Sequence, residues 1–316
     1  MTRTGDSHLV LVLLATFNGS RYLREQLDSI AAQTYTHWRL IVADDGSQDD
    51  TLTIVQDFSE RHPGRVCIVP GVPVGSARDN FFRLLRFPEL APYFAFCDQD
   101  DVWSADKLER LIRQCKEIEA QHPGLGCMVY SDLAVVDAHL VSLNPSFMDQ
   151  VRARPHEITF KTLLVENAVP GCAMVFNAAL ARVFRDRPFN PGAAIMHDWW
   201  IALLAATLGH VSFIPIPLVN YRQHATNTLG SVKRSGIAFV FNKLFRGDRD
   251  AALKTYAQAT AFLEVYSDLL DPAVREDLQV FGSLSQRSKF ERIRLILKHQ
   301  MLKQTPGRRI YQLLRA

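Results

Sequence analysis

The chain has 316 residues, 47% of them hydrophobic and 22% charged, a balance that suits a globular protein with a sizeable core, built as one large domain with an appendage or as two modest domains. A formal net charge of +3 gives no global electrostatic reason to expect a nucleic-acid partner. Cys67, Cys97, Cys115, Cys127 and Cys172 are dispersed without CxxC spacing, which reads as free, buried thiols in a reducing compartment. The opening MTRTGDSHLVLVLLATFNGS has only a short apolar run, contains Asp6 and His8, and leads into Asn18 and Gly19. It reads as a first β-strand rather than a signal peptide.

From there strand-like and helix-like stretches alternate. Leu9 to Ala15 is a continuous apolar run, as in a strand buried on both faces. Leu23, Leu27, Ile30 and Ala31 mark one helical face. Leu40 to Ala43 is a second buried run, ending in Asp44-Asp45-Gly46-Ser47. A helix with Leu52, Val55 and Phe58 follows, then a strand over Val66 to Val69. Ala77, Phe81, Leu84 and Leu85 mark the third helix, Tyr93 to Cys97 the fourth strand, and Leu108 to Cys115 the helix after it. This order predicts an α/β fold, a mostly parallel sheet with helices on both faces. Ligands bind such sheets beyond the carboxyl ends of the strands. Thr16-Phe17-Asn18, Asp44-Asp45 and Asp98-Gln99-Asp100-Asp101 all stand at such ends.

Beyond residue 125 the pattern loosens. Strands near Met128 to Tyr130, Cys172 to Phe176 and Val211 to Ile214 mix with helices near Thr159 to Val165 and Asp198 to Leu208. The apolar stretch Trp199 to Val219 is about as long as a membrane span. Gly209, His210, Pro215 and Pro217 break it, which predicts a buried helix, a turn and a strand. From about Ser235 the chain reads as helical and basic. We therefore divide it into residues 1–234, the main domain, and 235–316, a C-terminal helical extension.

The run Phe94-Ala95-Phe96-Cys97-Asp98-Gln99-Asp100-Asp101-Val102-Trp103 packs three aspartates into four positions. It admits a solvated loop with an N-capping aspartate at the helix near Asp106. An EF-hand fails, because Trp103 stands where that loop needs glycine and no helix precedes it. A phosphatase nucleophile pair would follow a first strand, not a fourth. Carboxylates at i and i+2 on an extended segment point the same way, and such hard oxygen ligands suit Mg2+ or Mn2+ on a nucleotide diphosphate.

Taken in order, ATFNGSRYLREQLDSIAAQT, LIVADDGSQDDT, VGSARDNF, FCDQDDVWSADKL, PGCAMVF, HDWW and YRQHATN resemble the family 2 glycosyltransferases of the GT-A fold. The resemblance spans roughly residues 8 to 230. DQDDVW together with YRQH and Asn227 is most similar to bacterial rhamnosyltransferase-type enzymes of surface polysaccharide synthesis. It implies an inverting, metal-dependent transfer from a dTDP- or UDP-sugar, plausibly dTDP-rhamnose, to a glycan or lipid-linked acceptor. It also implies a cytoplasmic protein, peripheral on the inner face of the plasma membrane.

By the same resemblance, Ala15, Thr16, Phe17 and Asn18 line the nucleoside, with Phe17 suited to pack on the base. Asp45 accepts the imide N–H of a pyrimidine; for Asp44 beside it, capping or loop hydrogen bonding stands as the alternative to a role at the nucleotide. Gly75 and Arg78 approach the nucleotide. Asp98 lies on the ribose side, Asp100 holds the metal, and Asp101 fixes water beyond it. Trp103 is core packing or a sugar platform. Asp198 is the catalytic base, with His197 in place of the family's usual glutamate, a departure that bears on the base's pKa. Arg222 and His224 close over the diphosphate and metal. Gly171 and Trp199 face the acceptor, glycine allowing the sugar close approach.

From Ser283 to Ala316, Arg287, Lys289, Arg292, Arg294, Lys298, Lys303, Arg308, Arg309 and Arg315 are opposed only by Glu291, with Ile293, Leu295, Ile296 and Leu297 interleaved and Phe241, Leu244 and Phe245 before them. Such a basic amphipathic helix reads as a contact for anionic membrane, or as packing on the domain or on a second subunit. An inactive sugar-nucleotide-binding module on the same fold is the alternative function. A dinucleotide-dependent oxidoreductase is disfavoured because no GxGxxG follows the first strand.

Overall fold

The computed structural model describes residues 8–224 and 249–316. The boundary expected at 234/235 lies outside the described residues, as do Asn227, Phe241, Leu244 and Phe245. In chain order the elements begin with β1 (Val10–Thr16), α1 (Leu23–Ala31), β2 (Trp38–Asp44), α2 (Thr51–Arg61), β3 (Val66–Ile68), α3 (Ala77–Leu85) and β4 (Tyr93–Cys97). Next come β5 (Val102–Trp103), α4 (Lys107–Gln121), β6 (Gly126–Val136), β7 (Ser142–Asn144), α5 (Phe147–Val151), α6 (Phe160–Val165), β8 (Met174–Asn177), α7 (Ala178–Arg185), α8 (His197–Leu208) and β9 (Gly209–Arg222). The C-terminal helices are α9 (Arg249–Tyr266), α10 (Pro272–Ser283), α11 (Lys289–Lys298) and α12 (Pro306–Arg315).

The strands form one sheet in the order β3-β2-β1-β4-β8-β6-β9-β5, with β7 beside β6. The four N-terminal strands are parallel, as the alternating pattern requires. The second half makes the sheet mixed: β8 is antiparallel to β4 and to β6, β9 is parallel to β6, and β5 is antiparallel to β9. Because β8 runs backwards, its start comes to the edge where β1, β2 and β4 end. The far end of β9 arrives there too. Residues near positions 16, 44, 98, 172 and 222 are thereby gathered at one edge by topology alone.

Alternation along the strands sorts side chains into two layers. Leu11, Leu13, Ile41, Ala43, Phe94 and Phe96 face α3, α7 and α8. Val10, Val12, Leu14, Leu40, Val42 and Ala95 face α1, α2 and α4. Tyr256, Phe262, Tyr266, Leu278 and Phe281 of the C-terminal helices belong to the first layer, where Trp200 Nε1 donates to Tyr266 Oη at 3.2 Å. The stretch Trp199 to Val219 is helix, then strand, and no helix among the described residues is long and apolar enough to cross a membrane.

Candidate active site

The three strand-end segments are laced together by their own polar groups. Thr16 Oγ1 donates to Asp44 Oδ1 at 2.7 Å, and Asp44 Oδ2 accepts the N–H groups of Gly46 (3.0 Å) and Ser47 (2.8 Å). Asp44 thus shapes its turn, the second of the two roles open to it. Asp45 Oδ1 accepts from Val74 N at 2.5 Å and from Gly75 N at 3.1 Å, with Gly75 at φ +79°. Two residues expected around one nucleotide therefore touch each other. Ala15 is half-buried at the end of β1, and Phe17 next to it is 54% exposed, a free ring face at the mouth of the cleft. Asn18, at φ 46°, donates its N–H to Ser47 Oγ and accepts from Gln48 N on its Oδ1, each at 2.8 Å.

Arg78 is tied down as well. Its guanidinium bonds both carboxylate oxygens of Asp79 (2.8 and 3.1 Å) and the Ala194 carbonyl (2.9 Å), on the segment leading into α8. It borders the cleft as a brace between α3 and that segment.

The aspartate run follows β4. His224 Nε2 lies 2.7 Å from Asp100 Oδ2, so the two residues expected at the metal converge. The two groups are hydrogen-bonded to each other as they stand, and of the pair the carboxylate is the ligand that suits Mg2+ or Mn2+. A second group, Asp98, Asp101 and Cys172, has ligand atoms within 4.8 Å of one another. It suits such a cation poorly, because burial holds the Cys172 thiol protonated and the Lys107 ammonium stands among these groups. Asp98 is pushed up to about 7 by burial, then by the charges of Asp100 and Asp198. Asp101 is fully buried and raised for the same leading reason, and its Oδ1 accepts from Arg222 N at 3.1 Å.

Arg222 departs from expectation. Only 1% exposed, its side chain donates to the carbonyls of Asp100 (2.8 Å) and Ala138 (2.6 Å) and to Glu25 Oε2 (2.7 Å), and it lies over the Tyr22 ring. It holds the aspartate loop from behind, through contacts within the protein where a diphosphate contact had been expected. Trp103 is 3% exposed and is core packing.

Asp198 sits in the first turn of α8. Its Oδ1 accepts Trp199 N at 2.6 Å and its Oδ2 accepts Gly171 N at 3.2 Å. Burial raises its carboxyl to about 6 against those bonds, so it stays a usable base near neutrality. His197 stacks on Phe81 with centroids 3.9 Å apart, and burial lowers it to about 3. It is a neutral apolar-face residue that brings no charge to the base. A Cβ on Gly171 would stand 3.1 Å from Asp198 Cβ and from His197 Nε2. The glycine makes room for the Asp198 side chain. Trp199 donates from Nε1 to the Leu163 carbonyl at 2.5 Å and is packed, half-buried, beside α6.

Two residues escape motif reading. Gln99 clamps Phe17 from both sides, accepting its N–H at 2.9 Å and donating to its carbonyl at 3.0 Å. Lys107, fully buried, donates from Nζ to the Cys172 carbonyl at 2.6 Å. The one signal for Lys107 is a lysine in the first turn of a helix, where the macrodipole favours acids.

Comparison with known proteins agrees with this layout. The chain is 29% identical over 246 residues to the dTDP-rhamnosyl transferase RfbG of Shigella flexneri, covering 74% of this chain and 81% of that one. It is 26% identical over 170 residues to the UDP-Glc:alpha-D-GlcNAc-diphosphoundecaprenol beta-1,3-glucosyltransferase WfgD of Escherichia coli, covering 54% and 60%. In structure it resembles S. aureus TarS 1-349, solved with UDP-GlcNAc (TM-score 0.58, 15% identity, 92% of this chain and 80% of that one). It also resembles the mannosyltransferase PcManGT of Pyrobaculum calidifontis, solved with GDP-Man and Mn2+ (TM-score 0.53, 17% identity, 97% and 85%). The family model described as Glycosyl transferase family 2 matches residues 11–184, more than half of the chain. The protein belongs to glycosyl transferase family 2 and has its GT-A fold, a mixed sheet with helices on both sides and further helices at the C-terminal end.

Proposed function

We propose that this protein transfers a sugar, with inversion, from a nucleotide diphosphate donor to a hydroxyl of a glycan or lipid-linked acceptor in surface polysaccharide synthesis. Similarity to a dTDP-rhamnosyl transferase over most of both chains supports dTDP-rhamnose as donor, with a UDP-sugar as the alternative. The observation that carries the reading is that Gly171 N–H holds Asp198 while the next residue, Cys172, has its sulfur within 4.8 Å of the Asp98 and Asp101 carboxyl groups, so the α8 carboxyl and the aspartate loop flank one segment. A base and a diphosphate-holding loop then face one cleft.

Asp198 takes the proton of the acceptor hydroxyl as its oxygen attacks the anomeric carbon, and the bond to the diphosphate oxygen breaks with its electron pair leaving on the diphosphate. The transition state is oxocarbenium-like. Asp100 and His224 would hold Mg2+ or Mn2+, which offsets charge on the departing diphosphate when bound. Phe17 offers a face to the base of the nucleotide. The exposed apolar and basic side chains of α11 and α12 would meet anionic membrane on its cytoplasmic side, where a lipid-linked acceptor is presented.

The test is nucleotide release from dTDP-rhamnose and from UDP-sugars, with Mn2+ or EDTA, in wild type and Asp198→Asn. The variant should lose about 10³-fold in turnover while binding dTDP as before. Wild-type turnover in the variant refutes Asp198 as base, and turnover of no donor by the wild type favours the binding module.

A further inference from the structure

The segment between β3 and α3 carries Val72, 78% exposed, and Val74, 38% exposed. Its backbone is nevertheless held at several points. Arg83 of α3 donates from Nη1 to the Val72 carbonyl and from Nη2 to the Asp44 carbonyl, each at 2.9 Å. Pro73 packs on Gly46, where a Cβ would stand 2.7 Å from Pro73 Cγ. The N–H groups of Val74 and Gly75 close on Asp45 Oδ1. The two valines are therefore presented to solvent by a braced loop.

Asp45 indicates what they meet there. Its Oδ1 is taken by the two loop N–H groups, while its Oδ2 accepts no hydrogen bond from the described residues. Asp45 N donates to the Thr16 carbonyl at 2.8 Å, and exposed Phe17 is the next residue along β1's end. One corner of the cleft thus combines an open carboxylate oxygen, an aromatic face and two valines. The oxygen takes an imide N–H, the ring takes a flat base, and the valines shield a methyl group from water. Thymine offers all three features, and uracil lacks the methyl.

We propose that Val72 and Val74 are specificity-determining residues for the donor, selecting thymine over uracil by its 5-methyl group, and that Arg83 is the positioning residue that keeps them against the Asp44–Asp45 turn. This rests on the transferase reading above and narrows its donor to a dTDP-sugar. A guanidinium suits the task, because its N–H groups lie in one rigid plane and span two carbonyls at once, which a single ammonium does not.

The experiment is calorimetric titration of dTDP and of dUDP, which differ only in that methyl, into the purified full chain with Mn2+ present throughout. Wild type should bind dTDP about fourfold more tightly, the worth of one buried methyl group. Val72→Ala/Val74→Ala, at two exposed sites, should fold as wild type does and bring the ratio to about one, mainly by weakening dTDP. Arg83→Met should weaken both nucleotides and also bring the ratio to about one. Arg83→Lys should fall between, and it serves for this arm if Arg83→Met does not fold. A role for Arg83 in folding alone would lower the melting temperature and leave the ratio unchanged. Equal affinities in wild type overturn the proposal and leave the transferase reading standing, as does a fourfold ratio that survives in the double valine variant. A ratio that survives in the folded Arg83 variants overturns the part given to Arg83. Binding of neither nucleotide by wild type overturns the donor reading and this proposal with it.

Discussion

Asp198 bears two opposed demands. As the proposed base it must be ionised, yet its surroundings favour the protonated form, with burial outweighing the bonds from Trp199 and Gly171. Turnover should therefore fall about tenfold per pH unit below about 6, and a kcat/KM profile without an acidic limb there would exclude this carboxyl as the base. Stability should move the other way. Below the unfolded value of 3.8 the group is protonated in both states and burial costs nothing. As pH rises through about 6 the folded protein acquires a charge that the unfolded chain solvates better. The cost above that pH is about 2 kcal/mol, after discounting for the water that reaches a half-buried side chain. Asp198→Asn should therefore raise the melting temperature at pH 8 and leave it nearly unchanged at pH 4, which thermal unfolding at the two pH values would check. The aspartate itself was legible in HDWW. The meaning of its neighbours was not: Gly171 clears space for the Asp198 carboxyl, through close approaches 26 and 27 positions along the chain, and His197 is neutral packing against Phe81, 116 positions before it.

At the scale of elements, the order of strands and helices was legible because buried runs and helical faces differ in period. Strand direction in the second half was not, since a four-residue strand such as β8 reads the same either way. β5, two residues inside the aspartate motif, is a strand only because Val219 and Asn220 of β9 lie opposite it. Arg222 illustrates the same limit. Its motif suggested a phosphate contact, whereas unmade backbone bonds at Asp100 and Ala138 claim the guanidinium. The β1–α1 turn and the aspartate loop are joined by Gln99, and Gly19 is part of that joint, since a Cβ there would stand 2.2 Å from Gln99 Oε1. Gln99→Ala removes both bonds to Phe17 at a partly exposed site, a loss of about 1–2 kcal/mol. It frees the turn that carries the exposed ring. Donor KM should rise several-fold while kcat changes little, and steady-state kinetics with an unchanged KM would show that the clamp does not shape the donor site.

Across the whole molecule, the C-terminal helices are anchored to the segment that leads from α6 to Gly171. Arg308 of α12 pairs with Glu166 at 3.3 Å, both buried, and Gln304 N donates to the same carboxylate at 2.8 Å. Five residues after Glu166 comes Gly171, whose N–H donates to Asp198. The sequence showed the basic amphipathic character of this region but not this attachment, which joins residues more than 130 positions apart. α11 and α12 are linked by Lys289 Nζ donating to the Leu314 carbonyl at 2.8 Å. They leave Phe290 87%, Leu314 66%, Ile310 62% and Leu297 48% exposed, among Lys289, Arg294, Lys298 and Arg309. Large apolar side chains so exposed beside cations match a bilayer interface, where rings and aliphatic chains enter the acyl boundary and cations meet anionic headgroups. The protein should then sediment with phosphatidylglycerol-containing vesicles far more than with pure phosphatidylcholine, and added salt should release it. Phe290→Ser/Ile310→Ser should weaken vesicle binding more than tenfold, since each insertion is worth about 2 kcal/mol, without altering turnover of a water-soluble acceptor. If the double variant still sediments like wild type, those side chains do not enter the bilayer. If wild type ignores anionic vesicles but changes mass with concentration, the face belongs to a second copy of the chain.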